Sequence, residues 1–113
     1  MAQKWADHLI RTNQFDHSRN PHFGENLWSG SGSFKGGAVV DSWYSEVKNY
    51  NYKRSRYSPG AGHFTQLVWV ASRKLGLGVA RSNGKVVVVA NYDPRGNVDS
   101  KERFKKNVLR SRF

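Results

Sequence analysis

The segment LGLGVARSNGKVVVVANY, residues 75–92, sets two runs rich in β-branched and apolar residues on either side of Asn83-Gly84. Asn and Gly tolerate positive φ, and an Asn-Gly pair between such runs predicts a type I′ hairpin turn. The unbroken Val86–Val89 run departs from the alternation of a half-exposed strand and predicts a strand covered on both faces.

Covering two faces requires helices on each side, and the flanking sequence supplies them. Ala2, Trp5, Ala6 and Leu9 recur at helical spacing over residues 2–12. From Ala38 to about Asn51, Val39, Val40, Trp43, Tyr44, Val47 and Tyr50 form an apolar stripe, with Glu46 at its edge. HFTQLVWVAS reads as one or two helical turns, and ENLW as a short extended piece. NQFDHSRNPHFG, with Asn20-Pro21 and Gly24 as breakers, reads as loop, SGSGSFKGG as a flexible tract and YKRSRYSPGAG as a basic loop. In the tail, Phe104, Val108 and Leu109 are the expected anchors. The sum is an α+β chain with helices packed on a small, mostly antiparallel sheet, expected as a single domain over residues 1–113.

Composition narrows the chemistry. Nineteen Lys and Arg against eight Asp and Glu give a formal charge of +11, a surface that attracts phosphate backbones or acidic lipid headgroups and is screened by salt. There is no cysteine, which excludes disulfides and thiolate chemistry and favours a reducing compartment. No run approaches the ~20 apolar residues that cross a bilayer, and the opening MAQKWADHLI carries no hydrophobic signal core. Three histidines, His17, His22 and His63, sit near Gly or Pro, and Glu25 and Glu46 sit in apolar surroundings (GENLW, WYSEV). Each alone is compatible with an ordinary structural role.

Taken together, four ordered blocks carry more. GHFTQLVWVAS and VVVANYDPRGNV resemble the two signature motifs of the CAP superfamily (cysteine-rich secretory proteins, antigen 5 and pathogenesis-related proteins). FGENLW and DSWYSEVKNYNY resemble two further blocks of that family, and the resemblance runs from Ala2 to about Leu109. The SWYSEVKNYNY block and the lack of cysteine look nearest to the Golgi-associated branch, which is not secreted. The resemblance implies a three-layer α-β-α sandwich whose cleft holds His17, Glu25, Glu46 and His63. In some members of that family the two histidines, here His17 and His63, bind a divalent metal, commonly zinc, so the resemblance implies a weak zinc site at most. Neutral imidazoles suit zinc and carboxylates can orient them, but two imidazoles make only a weak site.

Two histidines and two glutamates provide no nucleophile matched to a base, so the expected function is non-enzymatic. The resemblance implies binding of acidic membranes, and of sterol or fatty acid in parts of the superfamily. Lys48, Lys53, Arg54 and Arg56, set among Tyr50, Tyr52 and Tyr57, supply cations beside interfacial aromatics. The tail adds Lys101, Arg103, Lys105, Lys106, Arg110 and Arg112. Each cation near an anionic leaflet contributes about 1 kcal/mol. The expected location is intracellular, peripheral to a membrane or the Golgi. The rival readings are a secreted defence or venom-type protein and a basic nucleic-acid-binding domain, the latter disfavoured because no nucleic-acid motif is present.

Departures from the family pattern yield further expectations. Ala90 occupies a place where secreted members usually carry cysteine, and the His17–Glu25 spacing is shorter than in near relatives. The family pattern also places a helix with a His-Asn-x-x-Arg-type motif ahead of the segment matching AQKWADHL. The sequence starts at that segment, which predicts an uncovered apolar face, including part of that of Trp5 and Leu9, and a homodimer that buries it.

Overall fold

The structure is a computed structural model that describes residues 2–19, 22–31 and 36–110. The Asn20-Pro21 break, the Gly/Ser tract at 32–35 and Arg112 lie outside these residues. Among the described residues, four α-helices, α1 (Ala2–Thr12), α2 (Gly36–Tyr44), α3 (Gly62–Val68) and α4 (Lys101–Asn107), accompany three strands, β1 (Gly24–Ser31), β2 (Lys74–Ser82) and β3 (Lys85–Asp93). The sheet order is β1-β3-β2 and both pairings are antiparallel.

The hairpin forms as the sequence predicts. Asn83 and Gly84 have φ of 52° and 78°, and the turn sets Ser82 opposite Lys85. β3 is therefore central, and its valines divide by parity. Val87 and Val89 pack with Ala2, Ala6 and Leu9 of α1, while Val86, Val88, Ala90 and Tyr92 pack with Val39 and Trp43 of α2. The result is the three-layer α-β-α arrangement. A third cluster joins Tyr50, Phe64, Trp69, Phe104 and Val108, with the Phe104 ring stacked on Tyr50 and edge-on to Trp69.

Several boundaries differ from the sequence reading. The helix expected over 38–51 ends at Tyr44 and continues as a 3-10 helix, Ser45–Asn49, and within the α-helical part Val40 and Tyr44 are about half exposed. Tightening to a 3-10 turn rotates later side chains off the α-helical stripe. ENLW is only the centre of an eight-residue strand that extends through Ser31, because β3 offers a ladder partner at every position. Leu109 is no anchor: α4 ends at Asn107, and Leu109 is 59% exposed while Phe104 and Val108 are buried.

The uncovered apolar surface is also elsewhere than expected. Leu9 is buried against the sheet and Trp5 packs partly beside it, its indole Nε1–H donating to the Asp16 carbonyl at 2.9 Å. The exposed row is Leu75, Leu77 and Val79 on β2, on the face opposite α1.

On the α1 face, β2 carries Gly76, Gly78 and Ala80. A Cβ at Gly78 would stand 2.5 Å from the Ala2 carbonyl carbon and the Gln3 nitrogen, whereas one at Gly76 meets nothing within 4 Å. Gly78→Ala is therefore expected to lower unfolding free energy by about 1–3 kcal/mol, and Gly76→Ala to change it by under about 0.5 kcal/mol. Chemical denaturation of both variants checks this; equal losses would show that α1 does not lie against Gly78.

Candidate functional site

Two carboxylate–imidazole pairs line one cleft of about 340 Å³, together with Asn26, Tyr57 and Asn97. Glu46 stands on the 3-10 helix above the start of α3. Its Oε1 accepts from the backbone N–H of His63 at 2.9 Å and of Phe64 at 3.2 Å, satisfying two donors that a helix start leaves free. Its Oε2 lies 2.8 Å from His63 Nδ1. One carboxylate thus fixes both the helix start and the ring upon it. Trp43 backs that ring, its plane within 6° of parallel at 6.3 Å between centroids, and is itself held by its Nε1–H donating to the Leu27 carbonyl.

The second pair forms on the other side of the sheet end. Glu25 projects from β1 toward the loop after α1, where Oε1 accepts from the Ser18 backbone N–H at 2.9 Å and meets His17 Nδ1 at 3.0 Å. Oε2 accepts from Ser18 Oγ at 2.6 Å and from Asn91 Nδ2 at 3.2 Å. The Glu25 side chain is only 8% exposed and that of His17 is 59% exposed. Burial is the largest influence on Glu25 and pushes its pKa up, but the hydrogen bonds from His17, Ser18 and Asn91 outweigh it and hold the carboxyl below its ordinary value. The hydrogen bond to Glu25 holds the His17 imidazole above its ordinary value, against a smaller opposing effect of burial.

In both pairs the carboxylate engages Nδ1, which fixes the tautomer with Nε2 as the unprotonated nitrogen of the neutral ring. That arrangement orients a histidine for a metal. Among the described residues, however, no group of three or more His, Cys, Asp or Glu is disposed to hold a metal ion. Two imidazoles do not make the three-ligand centre of a catalytic zinc.

All four sequence-predicted cleft residues therefore share one cleft, whereas His22 does not line it. Of the other lining residues, Gly60 and Gly62 contribute backbone, while Asn26, Tyr57 and Asn97 bring side chains that the sequence reading did not place in the cleft. Asn26 Nδ2 donates to the His63 carbonyl at 3.1 Å and, at 3.3 Å, to the hydroxyl of Tyr92, whose pKa burial pushes up to about 12. Asn97, at φ 55°, donates from Nδ2 to the Gly62 carbonyl at 2.9 Å and accepts from Thr65 Oγ1 at 2.6 Å. Tyr57 closes one wall. Asn97 lies inside the quoted block VVVANYDPRGNV, and its position one residue past Gly96 was the available signal.

The basic residues lie apart from the cleft walls. Lys48, Lys53, Arg54, Arg56, Lys105 and Lys106 are all exposed. Arg56 Nε pairs with Asp99 at 3.4 Å, Lys106 pairs with Glu102 at 2.9 Å, and the Arg110 guanidinium sits 4.9 Å above the Tyr52 ring. The loop and the tail, separate in sequence, are thus in contact.

The model of the cysteine-rich secretory protein family, CAP, matches residues 1–92. The human Golgi-associated plant pathogenesis-related protein 1 is 42% identical over 112 residues, spanning 96% of this chain and 73% of that protein. Pathogenesis-related protein 1 of Arabidopsis thaliana is 42% identical over 97 residues, spanning 85% of this chain and 60% of that protein. Among solved structures, BmVAL-1 superposes with a TM-score of 0.73 at 25% identity, covering 88% of this chain and 56% of that one. NaASP2, solved with Zn2+, superposes at 0.69 and 27% identity, covering 88% of this chain and 60% of that one. None of these relatives is named for an enzymatic activity. The fold, the ordered motifs and the family match agree: the chain belongs to the CAP, or cysteine-rich secretory protein, family.

Proposed function

We propose that this chain is a non-enzymatic CAP domain of the Golgi-associated branch, held peripherally on acidic membrane surfaces inside the cell, with sterol or fatty acid as its apolar ligand class. The observation that carries the reading is the Arg110–Tyr52 contact, which joins two basic clusters into one surface. Lys53 and Arg54 flank Tyr52 on the loop, and Lys105 and Lys106 stand on α4 just ahead of Arg110. Cations beside a tyrosine suit the headgroup layer, where the ring enters the interface and the charges meet anionic lipid. The name of the human relative supports a Golgi location, and the family's name, cysteine-rich secretory protein, favours the secreted alternative.

Full-length protein is expected to sediment with vesicles containing phosphatidylserine and only slightly with phosphatidylcholine vesicles, fading as salt rises. Neutralising Lys53, Arg54 and Arg56 together should weaken binding at least ten-fold, since three cations contribute about 1 kcal/mol each. An unchanged affinity would overturn the surface. Equal or tighter binding to single-stranded oligonucleotide over the same salt series would favour the nucleic-acid reading instead.

The cleft is read as a weak zinc site in which His17 and His63 supply Nε2, while Glu25 and Glu46 orient the rings. Bound zinc would supply Lewis acidity there. Protons compete for the same imidazoles. Because His17 titrates above its ordinary value, its share of zinc binding should fall on acidification sooner than an isolated histidine's would. Calorimetric titration at pH 7.5 and pH 5.5 should show weak binding lost at the lower pH. His63→Ala should abolish it, and Glu46→Gln should reduce it by about ten-fold or less. Unaltered zinc affinity in the His63 variant would rule the site out.

A further inference from the structure

The open side of β2 leaves a backbone edge and an apolar row together. The two-residue turn makes Ser82 and Lys85 a hydrogen-bonded pair, so alternate residues back to Lys74 bond β3, while Leu75, Leu77, Val79 and Arg81 turn their N–H and C=O outward. Val79 shows this phase directly: its N–H donates to Gln3 Oε1 at 3.0 Å, and its carbonyl accepts from Gln3 Nε2 at 2.8 Å. The Gln3 carboxamide thus acts as a one-residue strand and closes the edge there. Leu75 and Leu77 have no such clip among the described residues. Their side chains are 58% and 60% exposed, and Val79 is 38% exposed on the same face.

Four outward backbone groups beneath apolar side chains at alternate positions are the elements by which an extended segment joins a sheet. We propose that the β2 edge, from Lys74 to Gly78, binds an extended acidic segment of a partner protein by β-strand addition, its apolar side chains covering Leu75 and Leu77. Charge selects the occupant. Arg73 and Lys74 are exposed at the open end, and although Asp93 lies opposite Lys74 in the ladder, the chain as a whole carries +11. A second copy fits less well. Antiparallel self-pairing about Leu77 would set Val79 against the other Leu75 and require both Gln3 clips to open. Pairing about Leu75 would gather Arg73 and Lys74 of both chains in one short ladder.

The test uses the full chain and a synthetic capped peptide of alternating valine and threonine with glutamates at the end that faces Arg73. Binding is followed by backbone amide NMR. Expected are affinity at least ten-fold above that of a scrambled peptide and slowed exchange at the Leu75 and Leu77 amides. Binding should be lost when the peptide's ladder amides are N-methylated. The double variant Arg73→Glu, Lys74→Glu should lose at least ten-fold and recover it with a peptide carrying lysines in place of glutamates. Four results would overturn the proposal: equal affinity for the scrambled peptide, shifts confined to another face, undiminished binding after N-methylation, or a stable dimer in sedimentation that occupies this edge without peptide.

Discussion

The double burial of β3 is the constraint from which the rest of the structure follows. A strand of consecutive valines cannot leave either face to water, so the chain must provide a helix above and a helix below. It does so with α1 on one side and α2 on the other. Burying Val86–Val89 contributes on the order of 6–12 kcal/mol, at about 1.5–3 kcal/mol per side chain, before conformational entropy is counted. The tight Asn83-Gly84 turn fixes which valine meets which helix, because a slip of one residue would exchange the two faces. The second ladder, between β1 and β3, places the cleft residues: it sets Glu25 opposite Asn91 and Asn26 opposite Ala90.

The cleft shows how a small domain can hold two imidazoles in place. Each is bound through Nδ1 to a carboxylate that is itself occupied by backbone or hydroxyl donors. Glu46 is held by two amide groups at the start of α3, and Glu25 by the amide and hydroxyl of Ser18. The carboxylates are thus oriented by local backbone and the rings by the carboxylates. The same groups explain the electrostatics. Hydrogen bonds hold Glu25 ionised despite its burial, and the ionised Glu25 favours the charged form of His17. The arrangement orients the two rings, and among the described residues no serine or threonine is hydrogen-bonded to either imidazole as a nucleophile; the matched relatives are named for pathogenesis and Golgi association rather than turnover.

Much of this was legible in the sequence where local chemistry decides the outcome. The hairpin, the doubly buried strand, α1 and α3 could be read from turn residues and periodicity. The four cleft residues came through the ordered blocks rather than from spacing, since Glu25 lies eight positions after His17 and His63 seventeen positions after Glu46. What escaped depends on tertiary partners. The length of β1 follows its ladder with β3, the 3-10 helix after Tyr44 carries the Glu46 that reaches α3, and Asn26 and Asn97 acquire their roles from carbonyls far away in sequence. The position of the exposed apolar row was misjudged for the same reason. Leu9 and, in part, Trp5 find cover on the sheet, while the leucines of the edge strand, unremarkable in the sequence, stay more than half exposed.

The contact between Arg110 and Tyr52 brings loop and tail together, and the reading of the protein as a peripheral membrane domain depends on their acting as one surface. The most direct measurement is paramagnetic relaxation of backbone amides on bicelles containing phosphatidylserine and a headgroup spin label. Amides of residues 52–57 and of 105–110 are expected to broaden together, with those of the β2 edge and α1 unaffected. Broadening confined to one of the two segments, or centred on Leu75 and Leu77, would contradict a single basic surface as the membrane contact.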